Sequence, residues 1–302
     1  MGTIHAIQEN TMTRYNIDTC SLLVEFNTSV WTARKLDKGS TDELVNSKHA
    51  GSKDAARVNK HLLAGRSELD VISKHIGNVR NRFFYQQTLP WSDKGLRLLP
   101  SIKFIEFNKR MDEEGERFWQ LVNDFVAIYP SLITAQAMAL GDLFSRDEFP
   151  SVDAIQQKFA YSINYIPVPT AGDFRIDVGN AATQELKERY EKFTQERLDA
   201  ATRDTQNRLK EHLERMAKQL TVDIVAGESK PRVFQDSLLD SALDLVEDVK
   251  SLNITGDPEL ERVRKELERA LLGVSTKELR KDMAVRTDVK AEVDALLKSI
   301  SW

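Results

Sequence analysis

A single cysteine, Cys20, in 302 residues leaves no partner for an internal disulfide. Stability must then come from packing, as in proteins of a reducing compartment. Glycine (13) and proline (8) are scarce, which excludes collagen-like and low-complexity architectures and disfavours an all-β fold with its many tight turns. No run approaches the roughly 18 consecutive apolar residues of a membrane span. The opening Met1-Gly2-Thr3-Ile4-His5-Ala6 lacks the basic and apolar regions of a signal peptide. A cytoplasmic protein without membrane contact is expected.

Several chemistries are missing as well. No phosphate-cradling Gly-x-x-x-x-Gly-Lys-Ser/Thr occurs, and no Gly-x-Gly-x-x-Gly follows a strand. His5, His49, His61, His75 and His212 are scattered without metal-ligand spacing and read as surface helical residues. No serine sits in a nucleophile elbow. Asp173 and Asp177 fall on one face of an expected hairpin, where they could bind a divalent cation or act as an acid/base pair; turn chemistry and salt bridging account for them as simply. The reading is therefore non-enzymatic, with no catalytic residue, metal or cofactor.

What is present is charge and helical period. Charged residues make up 30% of the chain and apolar ones 41%. A strand is expected over 21–31 and a short helix from Ser40, whose spacing to Glu43 suits a capping box. Leu69, Ile72, Ile76, Val79 and Phe83 predict a helix ending near Tyr85. Phe104, Phe107, Met111, Phe118, Val122, Phe125 and Tyr129 predict another from Ser101 to Tyr129, stopped by Pro130. Two shorter helices are expected at 131–144 and 151–160, then a hairpin of 161–168 and 173–178 about Pro169-Thr170-Ala171-Gly172. Beyond Asn180, stripes at mostly coiled-coil spacing run over 181–222 and return from Phe234 to Leu252. Asp257-Pro258-Glu259 starts a helix, Ser275 with Glu278 caps another, and Val289 to Ile300 line a last one. The expected fold is mainly α with a small antiparallel sheet: a flexible arm (1–20), an α+β domain (21–179) and a helical bundle or coiled-coil region (180–302).

The net charge of -4 is unevenly spread: Trp31 to Arg110 holds 16 Lys+Arg against 8 Asp+Glu, and the remainder 27 against 39. A basic segment of this kind suits an anionic partner or an acidic surface of the protein itself. Arg80, Arg82, Phe84, Tyr85, Trp91, Lys94 and Arg97 interleave cations with aromatics, as a single-stranded DNA path requires, and Arg34, Lys35, Lys38, Arg57, Lys60 and Arg66 would extend it. The same aromatics could instead close a core. A second candidate is the apolar seam Leu186, Tyr190, Phe193, Leu209, Leu213, Met216 and Leu220. A helix of about 40 residues spans ~60 Å, which favours a homo-oligomer or partner docking.

Three segments, Val30-Trp31-Thr32-Ala33-Arg34-Lys35, Leu89-Pro90-Trp91-Ser92-Asp93-Lys94-Gly95 and Val168-Pro169-Thr170-Ala171-Gly172-Asp173-Phe174-Arg175, together resemble a family of tailed phages and mobile elements catalogued as a domain of unknown function. The resemblance covers residues 20–260 and brings no catalytic residues. It implies a host-cell setting near a MoxR-type AAA+ ATPase and a von Willebrand factor A-type protein. The functional expectation is a self-assembling accessory or adaptor protein acting with that ATPase in phage DNA metabolism. Single-stranded DNA binding or annealing, or a virion or anti-defence role, are the alternatives.

Overall fold

The computed structural model describes residues 17–93, 95–169, 180–225, 228–232 and 235–302. Most of the expected arm, Lys94, the second hairpin arm with Asp173 and Asp177, and Phe234 lie outside these residues.

In chain order the elements are α1 (Ile17–Cys20), β1 (Ser21–Ser29), β2 (Arg34–Asp37), α2 (Lys38–Ser47), β3 (Val58–His61), α3 (Glu68–Asn78), a π-helical turn (Val79–Phe84), α4 (Tyr85–Gln87), β4 (Leu89–Pro90) and β5 (Arg97–Pro100). There follow α5 (Phe104–Leu140), α6 (Val152–Gln156), β6 (Ala160–Pro167), α7 (Asn180–Leu220), β7 (Val222–Val225), β8 (Glu228–Pro231), α8 (Asp236–Leu252), α9 (Pro258–Leu271), α10 (Thr276–Lys281) and α11 (Met283–Ser299). The fold is mainly helical with a small antiparallel sheet, as the sequence predicts; the strand order is β4-β5-β1-β6, of which β4 and β5 are not expected from the sequence. Two further two-stranded sheets, β2-β3 and β7-β8, stand apart from it.

The chain forms two compact units that do not follow a single cut at 179/180. One combines the chain through Glu25 with Gln86–Ile105 and Tyr165–Trp302; the other combines Phe26–Tyr85 with Glu106–Asn164. Packing explains the first grouping. Leu23, Leu89, Trp91 and Leu98 from the strand segments share a core with Val168, Ala201 of α7 and Leu252 of α8. A larger core in the same unit joins Leu209, Leu213, Met216 and Leu220 of α7 to Val246 and Val249 of α8, Leu260, Val263 and Leu267 of α9, and Val293 and Leu296 of α11. Burial of this kind contributes about 1.5–3 kcal/mol per large side chain.

In the second unit, Phe107, Met111, Phe118, Val122, Phe125 and Tyr129 line the buried side of α5. The helix does not stop at Pro130 but continues to Leu140, so no separate helix begins at 131. Pro130 lies on the exposed side, where the carbonyl it leaves without a helical partner can face water. Tyr161 of β6 lies against Gly115, its ring 2.9 Å from where a Cβ would stand, and its hydroxyl donates to the Met111 carbonyl at 2.6 Å. α2 starts three residues earlier than the Ser40 reading: Asp37 is its N-cap, accepting from the Ser40 amide at 2.9 Å. The helix starts at Asp257-Pro258 and at Ser275/Glu278 match the sequence reading.

Candidate functional site

The basic-aromatic residues are held by local packing. After Val79 the helix takes a π turn, with the Tyr85 amide donating to the Arg80 carbonyl. The extra residue shifts the buried phase from Phe83 to Phe84, which is 1% exposed. Phe84 packs on Phe26 at 5.3 Å and Phe107 at 6.1 Å between ring centroids. Phe83, half-buried, stacks on Phe107. Arg80 lies over the Phe26 ring at 4.7 Å and donates to Thr28 Oγ1 at 2.9 Å. Tyr85 is half-buried and Arg82 is exposed.

Trp91 and Arg97 belong to the other unit. Trp91 is 4% exposed, in the core with Leu23 and Leu98, and meets Phe193 edge-on at 6.5 Å. Arg97 donates through Nε to Thr88 Oγ1 at 2.6 Å and through Nη2 to the Thr88 carbonyl at 2.8 Å. Phe84 and Trp91 are thus core residues, and base stacking on them is corrected to intramolecular packing.

The apolar seam divides in two. Leu209, Leu213, Met216 and Leu220 are 0% exposed within the chain's own bundle, so they are not an oligomer interface. Leu186 and Tyr190 are half-buried and Phe193 is exposed. The sequence could not separate these cases, because an intramolecular and an intermolecular coiled coil share one period.

His49, His61 and His212 also depart from the surface-helical reading. His49 follows α2 with φ 51°, taking the left-handed position of a Schellman cap: its amide reaches the Asn46 carbonyl and that of Ala50 reaches Val45. His61 is in β3. His212 is 3% exposed; burial holds its pKa below the usual 6.5, with the nearby Arg215 charge acting the same way. Among the described residues no three His, Cys, Asp or Glu side chains gather as a metal site.

The charged clusters pair among their own members. Lys60 Nζ lies 2.6 Å from Glu148 and 3.5 Å from Asp37, and donates to the Leu143 carbonyl at 2.8 Å. The Glu148 hydrogen bond raises the Lys60 pKa, while the Ser40 amide leads the lowering of Asp37. Lys103 bonds Asp248 and Gln87, and Gln87 returns to Asp248 at 3.1 Å. Arg264 grips Glu261 with two bonds of 2.9 Å and Glu268 at 3.0 Å. Arg286, 1% exposed, donates to the carbonyls of Gln219, Leu220, Arg232 and Leu279, capping the C-terminal end of α7. A groove of about 630 Å³ beside α9 contains Lys250, Arg262 and Lys265, each within 3.5 Å of a carboxylate.

The outer face of α5 is different. From Phe125 to Gly141 the sequence carries no charge. Ala127, Ile128, Ser131, Thr134 and Met138 recur there at helical spacing and are exposed, Ile128 by 41% and Met138 by 93%. The segment Ser101–Leu143 contains a window apolar enough to cross a membrane by composition, contrary to the run-based expectation, and 22% of that window is buried. No strictly apolar run signals it, because Asn123, Asp124, Ser131, Thr134 and Gln136 interrupt the pattern.

No protein-family model, curated protein or solved structure matches the chain.

Proposed function

We propose that this chain is a non-enzymatic accessory protein that assembles with copies of itself through the outer face of α5, and that it serves an AAA+ ATPase in phage DNA metabolism. The observation that carries the first part is the exposed, uncharged stripe Ala127, Ile128, Ser131, Thr134 and Met138. Its small side chains permit close helix approach. A second copy brings an identical face that is uncharged from Phe125 to Gly141, whereas a charged partner would be desolvated there without compensation. The buried side of the same helix is filled by its own unit, which favours a role as a core helix with one free face over a membrane span. Mutual pairing within the Lys60, Lys103 and Arg264 clusters supports a structural use of the ionisable groups.

The ATPase partner and the phage setting rest on the three-segment resemblance alone. Nothing in the fold favours a virion or anti-defence role over them. The single-stranded DNA alternative loses Phe84 and Trp91 as stacking platforms. Light scattering of the purified full chain over a concentration series tests the assembly: an oligomer that dissociates on dilution is expected, and a monomer throughout would remove the reading. ATP-dependent retention of a MoxR-type ATPase on the immobilised chain tests the partner.

A further inference from the structure

The β2-β3 ribbon has two chemically different faces. Its antiparallel register pairs Arg34 with His61, Lys35 with Lys60, Leu36 with Asn59 and Asp37 with Val58. Side chains alternate along each strand and direct partners share a face. One face therefore holds Lys35, Asp37, Val58 and Lys60, and its Lys60 is pinned by a network to Asp37, Glu148 and the Leu143 carbonyl, while Lys35 remains exposed at the ribbon's end. The other holds Arg34, Leu36, Asn59 and His61, all exposed, with Leu36 at 42%. Next along the chain from the last pair are Lys38, the first residue of α2, and Arg57, which precedes β3; both are exposed. No carboxylate lies among these six. Among the described residues the one ion pair they make is Arg57 with Asp54 at 4.0 Å, between side chains 72% and 89% exposed, which is weak.

The residues leading into β2 explain how the ribbon is presented. Trp31 packs against Phe125 at 6.4 Å and edge-on against Tyr129 at 5.8 Å. Ala33, 3% exposed, then turns the chain at φ 52°, and its carbonyl accepts from the Leu62 amide at 2.7 Å. An anchor and a left-handed turn thus precede Arg34 and Lys35, so the Trp-x-x-Arg-Lys segment has a mechanical reading: it fixes the base of the ribbon and sets Arg34 on its outer face.

We infer that the outer face of the β2-β3 ribbon binds double-stranded DNA in the major groove. A two-stranded ribbon fits that groove, which is about 12 Å wide. At ~3.4 Å per residue, the stretch of β2 from Arg34 to the start of α2 at Lys38 spans roughly 14 Å. That distance places Arg34 at one groove wall and Lys38 with Arg57 at the other, where they neutralise phosphates of both strands. Leu36 and Asn59 fall between them. An amide can pair with adenine N6 and N7, and an apolar side chain can meet the thymine methyl group. The face carries no Phe, Tyr or Trp, and the His61 imidazole is its single aromatic ring, so it offers no run of platforms for the successive bases of a single strand. The major groove of A-form RNA is too narrow to admit the ribbon. The inference does not depend on self-association, since α5 contributes none of these residues.

Fluorescence anisotropy of the full chain with a labelled 24-base-pair duplex, titrated with salt from 50 to 200 mM, tests it. The wild type should bind the duplex more tightly than a single strand or an RNA duplex of the same sequence. Arg34→Ala with Lys38→Ala should weaken duplex binding on the order of tenfold at 50 mM salt and reduce the salt slope by about two. Lys109→Ala, on an exposed position of α5, should leave both unchanged. Circular dichroism melting of each variant separates a lost contact from a lost fold, because both substituted positions are exposed. No duplex binding at 50 mM salt, equal affinity of the double variant, or a preference for single strands or RNA would each overturn the inference.

Discussion

At the scale of single residues, the positions that matter most are those where the backbone or a charge is used against its usual preference. Gly115 is the sharpest case. A glycine inside an exposed helix costs up to about 1 kcal/mol relative to alanine, so Gly115→Ala would ordinarily stabilise α5. Here the added methyl meets the Tyr161 ring at 2.9 Å. The ring must move, straining its bond to the Met111 carbonyl. Gly115→Ala is therefore expected to destabilise by about 1–3 kcal/mol, read as a lower midpoint in urea; a higher midpoint would show that Tyr161 yields freely. His212 gives a pH dependence. Its folded pKa is lowered by burial, so the folded chain binds fewer protons there than the unfolded chain. Its contribution is fully present above pH 6.5 and is lost as the pH falls from 6.5 towards the folded value. The chain should lose stability across that interval, and His212→Leu should remove this loss; an unchanged pH profile in the variant would assign the slope to other groups. None of these roles could be read from the sequence, where Gly115 is one helix-breaking residue among charges and His212 one histidine in a polar helix. Close approach and burial are properties of the packed chain.

At the scale of elements, long periodic helices were the most legible feature, because burying one face of a helix requires a period near 3.6. α7, α9 and α11 and the caps at Asp257 and Ser275 all follow from that pattern and from side chains that bond their own amides. What stayed hidden were features without local preference. β2 and β3 are four residues each and pair across a 20-residue separation. β4 and β5 form around a segment that reads as a turn. Pro130 reads as a stop, yet α5 passes it because both halves of its buried face, up to Tyr129 and from Leu132, are filled. The π turn at Val79–Phe84 is an insertion in the register, invisible to a 3.6-residue template. It makes a specific prediction. Deleting the exposed Asn81 would place Phe84 four residues after Val79, which is α-helical spacing. The deletion should keep the fold, with a melting temperature within a few degrees of wild type and no loss of helical circular dichroism. Global unfolding would mean that the wide turn itself is required.

At the scale of the whole molecule, the two candidate sites met different fates. The basic-aromatic segment was legible as chemistry but not as placement: the same rings that suit base stacking also suit a core, and composition cannot tell them apart. Arg80 is held by Phe26 and Thr28, Arg97 by Thr88, and Phe84 and Trp91 by their cores. The apolar seam was legible as a stripe, but its C-terminal half is consumed within the chain. Among the described residues, the outer face of α5 and the outer face of the β2-β3 ribbon are exposed, one uncharged and one cationic. The proposed assembly and DNA contact use these two surfaces, while the clustered ionisable groups pair with one another.

The central claim is that the uncharged face of α5 holds copies of the chain together. It is tested most directly by light scattering on wild type beside Ile128→Lys/Met138→Glu, two exposed substitutions that leave the buried side of the helix intact. The account predicts a multiple of the monomer mass for wild type and the monomer mass for the variant at the same concentration, with matching circular dichroism. Equal masses for the two proteins would contradict it.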